Sequence, residues 1–469
     1  MERDGARGAF NANLLYALLF GSFLGLALWK FGNPVILDHK IIPPASPAEW
    51  WADPWPTHWS NWVLLPFALA GFWLALSGKS RWPGKRWLWL LPLMWFGWQL
   101  LSATHTVDTF LTTTTLWQFG GCVACYFIGA LVLGRERALR WLLLGVLAAF
   151  TFCLVRAVDQ RLFEFPESRR MLVQGERTGW TNFPPQIVLE MKRDGTIITT
   201  NGMDVANPAI LARITKNRVM GTLVYPNALA GTILMLLPVS LALAFNSTRQ
   251  LKPPIRGAVI ALTCLLGGLS LFWSGSKAGW LIGMALAGVW LLRFKWPARL
   301  KWTALTAVLL AGLTLFALRF HNYFAAGATS VGARFDYWRA AVQTSCENPW
   351  FGTGPGTFQR PYARIKSPDA EMARLAHNDY LQQFSDSGIA GGLSYVAWIC
   401  LALANAGRRV WRNDRYLQFT LFLGLLGWFA QGLVEFSLYV PALAWTAFTL
   451  LGCLQSSPGN QFDNGRITG

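Results

Sequence analysis

Apolar runs recur along this chain at a length that helices of soluble domains rarely reach. A helix crossing about 30 Å of hydrocarbon at about 1.5 Å per residue needs about 20 mostly apolar residues. That ruler gives about twelve spans, at 10–30, 59–78, 87–104, 116–134, 139–157, 220–245, 257–274, 277–293, 302–320, 387–405, 416–433 and 436–454. Pro66, Pro226, Pro238 and Pro441 predict kinks or late helix starts. The pairs 257–274/277–293 and 416–433/436–454 leave almost no room for a loop and read as tight helical hairpins. The predicted fold class is an all-α polytopic membrane protein with about twelve transmembrane helices.

Two longer polar intervals, 158–219 and 321–386, break this pattern. They divide the chain into 1–157, 158–219, 220–320, 321–386 and 387–469. Within the first interval, 187–200 (IVLEMKRDGTIITT) has apolar stretches on either side of Asp194-Gly195, which predicts a β-hairpin turning there. The stretch 207–219 (NPAILARITKNRV) predicts a short amphipathic helix at the membrane surface. The second interval reads as helix, glycine-rich turn, helix.

Composition agrees: 53% of the 469 residues are hydrophobic and only 14% charged, against about 25% charged in a soluble domain. That much apolar surface excludes an ordinary soluble enzyme, and 26 Trp with 31 Phe exclude a disordered chain. The net charge of +18 would suggest nucleic acid in a soluble protein. Here its placement argues otherwise. Alternate connections (Arg3 and Arg7; Lys79 to Arg86; Arg135 to Arg140; Arg249 to Arg256; Arg293 to Lys301; Arg408 to Arg415; Arg466) hold 21 basic residues against five acids. By the positive-inside rule this face is cytoplasmic, as are both termini. The two long intervals then lie outside, and no nucleic-acid partner is implied.

Six of the seven cysteines fall inside predicted spans, and Cys346 has no evident partner, so no disulfide framework is implied. Cys122 and Cys125 have redox-pair spacing, but they sit mid-helix beside Gly120 and Gly121 and read as small packing residues. The five histidines all fall on the predicted outer side, none at the spacing of a zinc site. No metal and no cofactor is expected.

The densest polar cluster lies at 332–388. Arg334, Asp336, Trp338 and Arg339 open a helix, Gly352, Gly354 and Gly356 make a turn, and His377 begins the return to the membrane. The turn is no nucleotide loop, since no Gly-Lys-Ser/Thr follows it. The ordered motifs are GTLVYPNALA at 221–230, WSGSKAGW at 273–280, Arg334-x-x-x-Trp338, NPWFGTGPGTF at 348–358, and His377-Asn-x-Tyr-Leu-Gln382 followed by Gly388. In this order and on such a chain they resemble the O-antigen ligase/polymerase superfamily, with its Wzy-type C-terminal domain. The family usually carries Ser-Arg where this chain has Ser276-Lys277; lysine keeps the charge but loses the planar fork.

That resemblance implies a bacterial inner-membrane glycosyltransferase with two long periplasmic segments and its active site on the periplasmic side. It would move a glycan from a polyprenyl diphosphate donor to a hydroxyl of a glycan, lipid or protein acceptor, among membrane lipids, without nucleotide or metal. On it, His377 is expected as general base, with Arg334 and Lys277 stabilising the departing diphosphate. Arg339, Asn227, Asn378 and Tyr380 are expected to bind or orient substrate. An O-antigen ligase-like activity on lipid A-core or a related acceptor is the first expectation. An O-antigen polymerase or a protein O-oligosaccharyltransferase of the same superfamily are alternatives. A lipid or solute transporter is the alternative from another class, against which stand the few intramembrane charges, Arg156 and Glu435 near span ends, and the lack of an inverted repeat.

Overall fold

The computed structural model describes residues 2–77, 85, 87–325, 327–412 and 415–456, with side chains from residue 12 onward apart from Trp87. Lys79, Arg81, Arg86, Asp414, Asp463 and Arg466, used in the charge argument, lie outside the described residues.

The N-terminal helices are α1 (Glu2–Lys30), a short α2 (Pro47–Ala52), α3 (Thr57–Ser77), α4 (Trp87–Ala103) and α5 (Thr109–Ile128). Next, α6 (Glu136–Asp159) runs through a π-helical turn into α7 (Phe165–Thr178). The short α8 (Pro185–Arg193) and α9 (Pro208–Lys216) flank the strands β1 (Ile197–Thr200) and β2 (Met203–Ala206). The central helices are α10 (Pro226–Ser247), α11 (Pro253–Ser274), α12 (Lys277–Arg293) and α13 (Ala298–Ala325). The chain continues through α14 (Thr329–Glu347), α15 (Gln359–Ile365), α16 (Asp379–Arg412), α17 (Tyr416–Gln431) and α18 (Pro441–Gln455).

This is an all-α polytopic membrane architecture: every predicted span has a helix at its position, and among the described residues eight helices are long and apolar enough to cross a membrane. Proline set the boundaries as expected. Pro226 and Pro441 occupy first helical turns, where a missing N–H costs nothing, so α10 and α18 start later than hydropathy alone indicates. The supposed hairpin 416–433/436–454 is therefore corrected. Nine residues, 432–440, separate α17 from α18, and they carry part of the site described below.

The β-hairpin also differs from expectation. Residues 185–193 are helical, because Val188 and Met191 pack one helical turn apart against a small core of Leu172, Trp180, Ile197 and Ala206. The strands follow, pairing Ile197 with Ala206 and Thr200 with Met203 around Asn201-Gly202. Both turn residues have positive φ (52° and 77°), as a two-residue type I′ hairpin requires. Asp194-Gly195 merely ends α8. The amphipathic helix read at 207–219 is α9, capped by the Asn207 side chain.

Burial divides the helices into two sets. Side chains of α1, α5, α6, α10 and α16 to α18 build the main core around Trp398, Trp428 and Trp445. By contrast, α11 and α13 bury 11% and 6% of their most apolar windows, so their surfaces face lipid. Cys122 and Cys125 are buried in α5.

The glycine-rich turn clamps the 321–386 interval onto the N-terminal half. Val107 N–H donates to Thr353 O, and the Ser102 and Thr112 hydroxyls donate to Phe351 O and Pro355 O. The turn also meets α16 where that helix breaks: Gly388 has φ 70° and ψ −174°, and a Cβ there would lie 2.2 Å from Trp350 O. Only glycine fits.

Candidate active site

The 432–440 loop is held open by its neighbours. Asp379, at the start of α16, donates its N–H to Gly432 O (2.7 Å) and Glu435 O (3.1 Å), while its carboxylate accepts from Leu438 N–H. The Gln118 side chain donates to Leu438 O. These contacts present Glu435, which is 2% exposed and the sole charged residue from 416 to 456.

Three predicted residues converge on that carboxylate. Arg334 Nη2 on α14 lies 2.5 Å from Oε1, and Asn227 Nδ2 at the head of α10 donates to the same oxygen at 2.6 Å. His377 Nδ1 lies 3.6 Å from Oε2. Both of those last atoms are buried and lack a hydrogen bond, so the ring faces the carboxylate without yet engaging it. The imidazole is wedged between Tyr337 (ring centroids 5.8 Å apart, near-parallel) and Phe436 (4.7 Å, edge-on). About 30% of the side chain is exposed, and since Nδ1 is buried the accessible part is the opposite edge, with Nε2.

The backbone at His377 is unusual, with φ 50°. A non-glycine residue in the left-handed region persists only where its surroundings fix it. Here Ala376 N–H donates to Gln382 Oε1, and Trp338 Nε1 donates to His377 O at 3.4 Å. Gln382 is in turn held by the buried Asp386 carboxylate, which also accepts from Gly356 N–H. The glycine turn thus helps set the imidazole's position from below.

Arg218, not singled out from sequence, joins the cluster from the stretch after α9. Its Nη2 donates to Asn227 Oδ1 (2.9 Å) and its Nε to Ser274 O (2.7 Å). Burial pulls its guanidinium below the usual value, Glu435 opposes that shift, and Arg334 and Arg319 add to it. Lys277, at the head of α12, lies 3.6 Å over the Tyr323 ring and 5.2 Å from Phe320, within electrostatic range of Arg218, Arg334 and Arg319. Arg334 and Arg218 therefore stand within range of Glu435, and Lys277 within range of both arginines. Outside the spans, burial and the acids Glu371 and Asp336 push the Tyr337 phenol up, so it stays a neutral wall beside the imidazole.

The remaining candidates are placed around this cluster. Asn378 Oδ1 accepts from Tyr380 N–H and Leu381 N–H, which caps α16. The Tyr380 hydroxyl donates to Phe429 O and its ring packs on Tyr395. The Asn378 Oδ1 and the Tyr380 hydroxyl thus help position the loop that carries His377. Arg339 is exposed and, five residues after Arg334, lies about 140° around the helix, away from the carboxylate.

Glu435 and Arg218 had signals in the sequence that motif order does not weigh. Glu435 is a lone acid in a long apolar stretch, and a lone ionisable group at membrane depth marks function by default. Arg218 stands three residues before the 221–230 motif. Among the described residues no three His, Cys, Asp or Glu side chains gather as metal ligands. What the cluster offers a ligand is guanidinium, ammonium and imidazole.

No curated protein matches the chain. Residues 262–396 match the family model Wzy_C, described as O-antigen ligase. The matched stretch includes Lys277, Arg334 and His377, whereas Arg218, Asn227 and Glu435 reach the cluster from outside it. In that stretch this multi-pass membrane protein is similar to the O-antigen ligase family, in keeping with the resemblance that the order of motifs carries.

Proposed function

We propose that the protein transfers a glycan from a polyprenyl diphosphate donor to an acceptor hydroxyl at the periplasmic face of the bacterial inner membrane, with both termini cytoplasmic. An O-antigen ligase-like reaction on a lipid-borne acceptor is the reading favoured. The single observation that carries it is the convergence of Arg334, Asn227 and His377 on Glu435, beside Arg218 and Lys277.

Breaking a sugar–diphosphate bond leaves a multiply charged diphosphate in a poorly solvated setting. Cations already in place where that charge grows lower the barrier without reorganising. Arg334 uses one N–H group on Glu435, leaving the rest of its fork for phosphate oxygens. Arg218 offers a second fork and Lys277 a point charge. These three cations outnumber Glu435 and the buried Asp379 beside it, which leaves positive charge for the leaving group.

The acceptor hydroxyl is a weak nucleophile. As its oxygen bonds the anomeric carbon, its proton passes to His377 Nε2, and the electron pair of the breaking C–O bond departs with the diphosphate. Glu435, facing Nδ1, stabilises the imidazolium that forms. Attack from the face opposite the diphosphate inverts the anomeric centre in one displacement. Arg339, the earlier candidate for a substrate contact, has no part in this scheme; Asn378 and Tyr380 act through the His377 loop.

The test is incubation of purified, reconstituted protein with a polyprenyl diphosphate glycan and separate lipid, glycan and protein acceptors, without nucleotide or metal, followed by product mass. Transfer to a lipid acceptor with release of polyprenyl diphosphate is expected. Self-extension of the donor would instead indicate a polymerase, transfer to protein an oligosaccharyltransferase, and no transfer to any acceptor would overturn the reading.

A further inference from the structure

We propose that α14 is an interfacial helix, lying in the bilayer surface on the side of the active site with an apolar stripe in the lipid. One face of α14, with Tyr337, Ala340, Ala341 and Thr344, is buried against the protein. Nearly opposite, Val331, Phe335, Trp338 and Val342 recur at i, i+4, i+7 and i+11, the spacing of a single helical stripe. Phe335 is 60% and Val342 49% exposed. Asp336, Arg339, Gln343 and Glu347 follow around the helix as a polar edge, so the exposed hemisphere divides into an apolar and a charged half. A helix meeting only water has no use for that division, whereas one at a membrane surface requires it.

Two further observations name the bilayer as occupant. Only residues 326–328 separate α14 from α13, so α14 begins at the depth where a lipid-facing span ends. The apolar surface is also continuous with that span, on which Leu318 is 74% and Phe324 49% exposed. Arg339 borders the stripe with a long side chain able to reach headgroup phosphates. The arrangement sets Arg334 at headgroup level, and Trp338 joins the stripe to the site through its bond to His377 O. The inference concerns depth in the membrane and is read without turnover, so it stands or falls independently of the transfer reaction.

The test uses full-length protein in which the exposed Cys264, Cys346 and Cys400 are replaced by serine. Phe335→Cys, Asp336→Cys, Val342→Cys and Gln343→Cys are each spin-labelled in vesicles of phosphatidylethanolamine and phosphatidylglycerol. These sites are not buried, so folding is preserved, and size-exclusion profiles check it. Labels at 335 and 342 should show an oxygen-to-nickel-chelate accessibility ratio at least about threefold above those at 336 and 343. Equal ratios at 342 and 343 would overturn the proposal. So would a label at 342 reached by neither reagent, the signature of a protein partner covering the stripe.

Discussion

Arg334 and His377 face different oxygens of one carboxylate: Arg334 meets Oε1 of Glu435 at 2.5 Å, and His377 Nδ1 faces Oε2 at 3.6 Å. The residue proposed to hold the leaving group and the residue proposed to take the proton thus share a reference point 101 and 58 residues away along the chain, respectively. The geometry couples the two halves of the reaction.

Replacing that shared carboxylate should therefore damage both. Glu435→Gln keeps the size and one acceptor oxygen but removes the charge facing the imidazole, and transfer is expected to fall by about 10²-fold. Glu435→Ala also leaves the part-buried Arg334 without its partner, which should cost up to about 3–5 kcal/mol of stability. Turnover and thermal unfolding in detergent, measured side by side, distinguish the two effects. Unchanged turnover in Glu435→Gln would remove the carboxylate from the mechanism.

His377→Gln should reduce transfer by about 10²–10⁴-fold, the usual contribution of a positioned base. Donor affinity should change little, because the cations remain. Direct binding of a labelled polyprenyl diphosphate checks the second half of that statement.

Arg218→Met should weaken donor binding by about 10–100-fold, the value of one or two charge-assisted hydrogen bonds. Arg218→Lys restores charge but not the fork that spans Asn227 Oδ1 and Ser274 O, so recovery should be partial. Full recovery would make Arg218 a point charge only. Titration of donor against each variant reads this directly.

Gln382→Met removes the acceptor for Ala376 N–H, next to the left-handed His377 backbone. A buried N–H left unpaired costs about 1–3 kcal/mol. The expected kinetic signature is a fall in kcat with donor KM unchanged, since Gln382 acts through His377 rather than on substrate.

Gly388→Ala should damage the fold itself rather than the chemistry. At φ 70° the added methyl would lie 2.2 Å from Trp350 O, so the glycine turn must shift or α16 must straighten. A loss above about 2 kcal/mol is expected, visible as a lowered unfolding midpoint.

Much of this protein was legible without coordinates. The positions of the long apolar helices follow from the length of their runs, because a bilayer imposes one length scale and leaves backbone groups no partner outside the helix. Proline placed the starts of α10 and α18. Arg334, His377, Asn227 and Lys277 were singled out by local motifs, but the motifs alone do not say that these residues lie together. The Asp194-Gly195 hairpin failed for a related reason: a short apolar run fits either period, and only packing against Leu172 and Trp180 decided for helix at 185–193 and strand after it.

What the tertiary structure alone decided is where the chemistry meets. Glu435 lies in a loop that hydropathy shortened to the two residues between predicted spans, and Asn378, Tyr380 and Arg339 resemble their neighbours in polarity while pointing elsewhere. A sequence prescribes which groups are polar and which segments are helical, since those are local energies. Whether an Arg from α14, an Asn from α10 and a His before α16 reach one carboxylate depends on how helices far apart in sequence pack, and that is settled by the sum of contacts over the whole core.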